Sequence, residues 1–278
     1  MPKSLRTLIF AVAATLAAGA VVAQDIPRSI QKVAGDVYRF QNNRHYALVT
    51  VTDAGVVVVD PINADAATWL KDNLSQITDK PITHLIYSHS HGDHASGGTA
   101  FGAETVVAHE NAPPQIDGVT PTLRIGDTHE MEVGGKTFEM TYLGKGHGED
   151  LIAVIVRPEN VGFITDVAAP KRLPFRTMPS SSVDAWIQQV HKVNTLDFEI
   201  FAPAHGNVGV RSDVGGVITY METLRTEVLA GLKAGKSVEE LQETVTMDAY
   251  SDWLGYDNMR AQNVLGMAQY LIRANKVN

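Results

Sequence analysis

At 278 residues, 44% of them hydrophobic and 19% charged, the chain is long enough to bury a sizeable core and too apolar to stay disordered. A formal charge of −8 argues against a nucleic-acid partner, because an acidic surface repels phosphate. The complete lack of cysteine excludes disulfides and thiolate ligands, so stability must come from the core, from metal or from association.

Lys3 and Arg6 precede an apolar run over 8–22, with the small residues Val21 and Ala23 just before Gln24. This pattern predicts a signal peptide over 1–23, a periplasmic or secreted protein, and no stable membrane insertion once the leader is cleaved. Residues 24–278 then read as a single domain. Short strands are expected at 37–41, 46–52 and 55–60, separated by polar turns, so the mature chain opens as a β-meander. Residues 63–77 carry Trp69, Leu70, Leu74 and Ile77 at helical spacing, and after Pro81 the run Ile82 to Ser88 reads as a buried strand. Further strands are expected at 104–109, 136–143, 151–157 and 161–165, with 111–127 and its three prolines as a surface loop. The final third turns helical, at 182–193, 212–234, 237–247 and 257–275, with one strand near Glu199 to Ala202. Strand blocks interleaved with helices predict an α/β fold of layered sheets with helices outside and a helical extension from about 212.

The expected strand at 82–88 runs into His89-Ser90-His91-Gly92-Asp93-His94, three imidazoles and a carboxylate in six residues. In an extended chain, His89 and His91 point to the same side and can share one cation. Gly92 is expected to bend the chain sharply, so that Asp93 and His94 diverge toward a second cation. Nitrogen and oxygen ligands of this kind suit Zn²⁺, and Fe or Mn are also compatible with them.

Three more ligand-type residues stand at the ends of expected strands. His147 lies within Gly144-Lys145-Gly146-His147-Gly148, Asp166 closes Val161 to Thr165, and His205 follows Phe201-Ala202-Pro203-Ala204. Asp60 ends the run Gly55 to Val59. In this order the motifs resemble the metallo-β-lactamase superfamily, from about Val37 to Gly206. That resemblance implies an αββα sandwich of two mixed β-sheets flanked by helices. It further implies a first metal on His89, His91 and His147, a second on Asp93, His94 and His205, Asp166 as the bridge, and Asp60 as an outer partner that orients a ligand or the loop.

What the resemblance implies chemically is hydrolysis of a small ester, lactone, thioester or amide-like bond by a hydroxide between two zinc ions, with Asp93 or a metal-bound water passing a proton to the leaving group. Zinc β-lactamases proper carry cysteine or serine where Asp166 stands, which counts against a dedicated β-lactamase. An iron-dependent oxidoreductase of the persulfide dioxygenase kind is the alternative, opposed by His91, where diiron relatives have glutamate. A non-catalytic zinc carrier is the third reading. The expected partner is a small-molecule substrate. Lys171 and Arg172 are candidates to bind an anionic group of it, and His45 is a candidate to overhang the site. Tyr250, Trp253 and Tyr256 read as packing or as an entrance.

Overall fold

The computed structural model describes residues 26–277, so the expected leader lies outside the described residues. The first sheet has seven strands in sequence order. β1 (Arg28–Ala34), β2 (Val37–Asn42), β3 (His45–Thr52) and β4 (Gly55–Val59) form an antiparallel meander. β5 (Ile82–Ile86), β6 (Thr105–His109) and β7 (Leu123–Ile125) continue it in parallel. The second sheet runs from β8 (Thr128–Val133) through β9 (Lys136–Tyr142), β10 (Ile152–Arg157), β11 (Val161–Ile164) and β12 (Ile200–Pro203) to β13 (Gly209–Val210).

Period-two alternation distributes these strands between layers. In β4, Val57 and Val59 face the second sheet, whereas Val56 and Val58 pack under α1 (Ala64–Asn73) with Leu70 and Leu74. In β10, Ile152, Val154 and Val156 meet the first sheet, while Ala153 and Ile155 face α3 (Val183–Thr195), α4 (Asp213–Lys233) and α6 (Tyr256–Arg273). Two mixed sheets face one another between helical layers, as expected. Side-chain caps begin the helices: Asn63 accepts from the Ala66 N–H, Ser182 from that of Ala185, and Ser237 forms a capping box with Glu240 at α5 (Val238–Thr244).

The structure departs from the expected elements at the sheet edges. β1, β8 and β13 had not been anticipated, and β7 lies inside the expected loop at 111–127. Their sequences hide them: β8 alternates exposed Thr128, Glu130 and Glu132 with half-buried His129 and Met131, the charged edge that guards a sheet against further pairing. The strand before the histidine cluster also ends sooner, at Ile86. At Gly92 the chain turns, as expected, from extended His91 into the single-turn helix α2 (Gly92–Ala95). Among the described residues, no helix is long and apolar enough to cross a membrane.

α6 passes close to the strap at 171–179 at Gly266, where a β-carbon would sit on the carbonyl oxygen of Thr177. Gly266→Ala should gain roughly 1 kcal/mol of helix propensity but lose more to the collision with backbone, since overpacking costs about 1–3 kcal/mol and a carbonyl is hard to move. The net expectation is a lower Tm by calorimetry. An unchanged or raised Tm would mean that the strap yields freely.

Candidate metal centre

Every candidate ligand stands at one rim, beyond the carboxyl ends of neighbouring strands. Asp60 follows β4, residues 89–94 follow β5, His147 follows β9, Asp166 follows β11 and His205 follows β12. The backbone there is bent against its preference. Asp60, Ile62 and Asp166 hold φ of 66°, 71° and 49°, left-handed values that cost L-residues energy and concentrate at functional sites.

Asp166 is the centre of the cluster. Its Oδ2 lies 3.0 Å from His147 Nε2 and 3.5 Å from His89 Nε2. Its Oδ1 lies 3.1 Å from His205 Nε2 and 3.2 Å from His94 Nε2, and these two nitrogens stand 3.2 Å apart. His91 joins the group of His89, His147 and Asp166. Two imidazole nitrogens facing each other with a carboxylate oxygen at equal distance make a poor hydrogen-bonded set. They match a cation cage well, because donors about 2.0–2.1 Å from a tetrahedral zinc are separated by roughly 3.3 Å. Buried His89 Nε2 and Asp166 Oδ1, both facing into the cluster, have no hydrogen-bond partner among the described residues, as expected of groups built for something other than protein contacts. The donor set therefore fits one or two divalent cations.

Asp93 stands at the outer side of the expected second set: its Oδ2 lies 3.8 Å from His94 Nε2 and 3.3 Å from His45 Nε2, and it groups with His205 and His45. His45 is a further partner that the expected set did not include. The β2–β3 hairpin brings His45 to the rim, 4.6 Å from the His205 ring, and hydrogen bonding to His45 holds the Asp93 carboxyl far below its usual range. His45 thus overhangs the site, as the polar hairpin suggested.

Protonation is set by the surroundings. Burial, helped by the neighbouring His89 and His147, pushes His91 down to about 4, so that its ring is neutral and able to ligate. Burial opposes the charge of both Asp166 and His94, yet each holds the other's charge: the carboxyl lies well below its usual range and the imidazole well above. Burial lowers His205 despite the nearby Asp166.

Two hydrogen bonds orient the rings. Asp60 Oδ1 accepts the Ser88 N–H at 2.8 Å and Oδ2 the Ser88 hydroxyl at 2.6 Å. With its proton committed, Ser88 Oγ accepts from His89 Nδ1 at 3.0 Å, which leaves the Nε2 lone pair aimed at the Asp166 side. His205 Nδ1 likewise donates to the Arg44 carbonyl at 3.0 Å. Around His147, Gln189 Oε1 accepts the backbone N–H at 2.7 Å while its amide donates to the Gly144 carbonyl at 2.6 Å. A side chain at Gly146 would collide with Gln189. Trp186 packs edge-on against the His147 ring at 4.6 Å.

A cleft of about 410 Å³ opens on this cluster, bounded by Arg44, Arg172, Phe175, Pro179 and Met259 together with the ligand-type residues. Lys171 and Arg172, paired by sequence, part company: Lys171 turns out to Asp252 at 3.5 Å, and only Arg172 faces the cleft. Tyr250 and Trp253 pack on Tyr220, and Tyr256 also stays outside the cleft. Sequence reasoning missed Arg44, Phe175, Met259, Gln189 and Arg39. Buried Arg39, stacked 3.6 Å above the Tyr46 ring, donates to the carbonyls of Pro203 at 2.7 Å and Gly206 at 2.9 Å. Burial lowers its pKa to about 10, still charged at neutral pH.

No family profile matches the chain. It is 26% identical over 186 residues to 2,4-dinitroanisole O-demethylase subunit alpha of Nocardioides sp. (strain JS1661), covering 63% of this chain and 56% of that one. It is 27% identical over 200 residues to metallo-β-lactamase type 2 of Elizabethkingia meningoseptica, covering 61% and 75% respectively. Among solved structures, the stereoselective inverting sec-alkylsulfatase Pisa1 from Pseudomonas sp. superposes with a TM-score of 0.73 at 16% identity, over 87% of this chain and 50% of that one. The metallo-β-lactamase FIM-1 from Pseudomonas aeruginosa, in its mono-zinc form, gives 0.62 at 16% identity, over 72% and 97%. The chain thus spans only about half the length of the O-demethylase subunit and of the alkylsulfatase.

Arg39 clamps the loop that carries His205. Arg39→Met should leave two inward-facing carbonyls without their charged donor and cost about 2 kcal/mol, read as a lower urea midpoint with faster amide exchange over 203–206. Unchanged exchange there would show that the clamp does not hold the loop.

Proposed function

We propose that this chain, whose fold is that of the metallo-β-lactamase superfamily, is a metal-dependent hydrolase. The observation that carries the reading is that each carboxylate oxygen of Asp166 faces its own pair of imidazole nitrogens at 3.0–3.5 Å. Two cations, zinc by ligand type, would be held by His89, His91 and His147 with Oδ2, and by His94 and His205 with Oδ1. When bound, such ions make water acidic enough to deprotonate near neutral pH and polarise a substrate oxygen.

The protein's own residues supply orientation and proton handling. Asp60, through Ser88, fixes the tautomer of His89. Asp93, 55% exposed by its side chain at the cleft mouth, is placed to accept a proton at Oδ2 and deliver it to a departing alkoxide, thiolate or amine, with His45 orienting it. Water is the only co-reactant this chemistry needs. The bonds in question are those of a small ester, lactone, thioester or lactam-like ring; the alkylsulfatase likeness adds sulfate esters, and the O-demethylase likeness adds activated aryl ethers.

Turnover of the zinc-loaded protein across such a panel should yield one chelator-sensitive class at an ordinary enzyme efficiency, about 10⁴ M⁻¹s⁻¹ or more. Asp166→Ala should abolish it. A variant that lost neither turnover nor metal would overturn the assignment, and negligible rates throughout with normal metal content would favour a carrier. Ser88→Ala frees the His89 ring, and metal affinity by competitive chelator titration should fall about 10–100-fold; an unchanged affinity would remove Asp60 and Ser88 from the proposed machinery.

A further inference from the structure

His45 stands at the mouth of the cleft although a second cation can be held without it. It opens β3, opposite Asn42 across a tight turn of Asn43 and Arg44, in which Asn43 takes a left-handed φ of 58°. The turn is fastened on both sides of the ring: the Arg44 carbonyl accepts from His205 Nδ1 at 3.0 Å, and the Tyr46 N–H donates to the Ala204 carbonyl at 2.9 Å. His45 is therefore placed by sheet register and by the loop after β12, not by a free loop tip. Its ring lies 4.6 Å from that of His205, and its Nε2 lies 3.3 Å from Asp93 Oδ2.

That spacing is long for a charge-assisted hydrogen bond, about 2.7–2.9 Å, and matches the roughly 3.3 Å between donors around a tetrahedral zinc. One nitrogen each of His45 and His205 and one oxygen of Asp93 fall within 4.8 Å of one another. Because His205 Nδ1 is committed to the Arg44 carbonyl, the nitrogen it contributes is Nε2. The same Nε2 lies 3.1 Å from Asp166 Oδ1 and 3.2 Å from His94 Nε2. A neutral imidazole nitrogen has one lone pair and holds one cation. His205 can thus serve an inner set, with His94 and Asp166, or an outer set, with His45 and Asp93, but not both at once. The outer set is the wetter: the side chains of His45 and Asp93 are 30% and 55% exposed, against 0% and 10% for His94 and Asp166.

We propose that His45, Asp93 and His205 form a second seat for the outer cation, mutually exclusive with the inner one, through which that ion enters and leaves the centre. The inference rests on the reading of the rim as a metal centre. Two nitrogens and one carboxylate oxygen suit a borderline divalent ion such as Zn²⁺ or Co²⁺. Three donors at the mouth leave the remaining coordination positions to water, so an ion there exchanges readily. Passage inward trades His45 and Asp93 for His94 and Asp166, and it releases the Asp93 carboxylate for proton handling. A net charge of −8 favours the approach of cations to an exposed carboxylate of this kind.

The test is titration of the metal-free protein with Co²⁺ alone, read by equilibrium dialysis and by the rate at which bound ion is lost to excess chelator. His94→Asn disables the inner seat and keeps an amide beside Asp60, whose Oδ2 lies 3.5 Å from His94 Nδ1. That variant should still take up two equivalents, the second weakly. Adding His45→Gln, which retains a hydrogen-bond donor for Asp93 but is a poor ligand, should weaken the second at least about tenfold, the lower bound for loss of even an outer partner. In the otherwise unaltered chain, His45→Gln should leave both equivalents bound and slow release of the second severalfold. A single equivalent in folded His94→Asn, a second equivalent equally tight with and without His45, or a release rate unchanged by His45→Gln would overturn the proposal. A single equivalent in the unaltered chain would sink the two-cation reading as well, whereas two equivalents without turnover of any ester would sink the hydrolase reading alone.

Discussion

A carboxylate buried at the end of a strand is expensive unless positive charge surrounds it, and Asp166 obliges the rest of the rim to supply that charge. Each of its two oxygens faces one histidine from each sheet. His89 and His94 follow a strand of the first; His147 and His205 follow strands of the second. The left-handed backbone at Asp166 turns the carboxyl inward between them. Such a conformation persists only where surrounding packing overrides local preference. Here that packing is the inter-sheet core of Val57, Val59, Ile86, Phe138, Val154 and Phe163 beneath the rim.

Two devices hold the rim rigid, and each joins segments far apart in sequence. Asp60 reaches from the end of β4 to the start of the histidine loop after β5 and spends both oxygens on Ser88. The β2–β3 hairpin reaches across to the loop after β12. Tyr46 N–H donates to the Ala204 carbonyl, Arg39 to those of Pro203 and Gly206, and the Arg44 carbonyl accepts from His205. Together these bonds hold the loops that carry His89 and His205. Centres that tolerate only small displacements need such second supports as much as they need their ligands.

What was legible in the sequence followed from local density and period. Four ligand-type residues in six positions announce a site wherever the chain folds. Asp60, Asp166 and His205 were readable because each closes an apolar run. The long helices α3, α4 and α6 show helical period over several turns, and the buried strands show continuous apolar runs. The edge strands escaped because their outward residues are charged and their runs short. The direction of Asp93 escaped because it depends on His45, 48 positions earlier. Arg39 had no signal at all: an arginine in a strand reads as solvent-facing until the tertiary structure buries it on Tyr46.

The cleft wall illustrates the same limit from the other side. Nothing in 171–179 forecasts three left-handed residues in eight, because the cause lies some ninety residues away. Asn263 donates to the carbonyls of Pro174 and Arg176, Leu254 pairs with both neighbours of Arg172, and Gly266 leaves room for Thr177 only by having no side chain. The C-terminal helices therefore do more than cover a sheet: they bend the strap and so decide which residues face the candidate metal centre. The candidate ligands stand at the ends of sheet strands, whereas the rest of the cleft wall comes from the β2–β3 hairpin, the strap and Met259 of α6. Selectivity can then change through substitutions in α6 and the strap while the ligand geometry stays fixed, a division expected when a rigid scaffold carries the chemistry and its loops carry recognition.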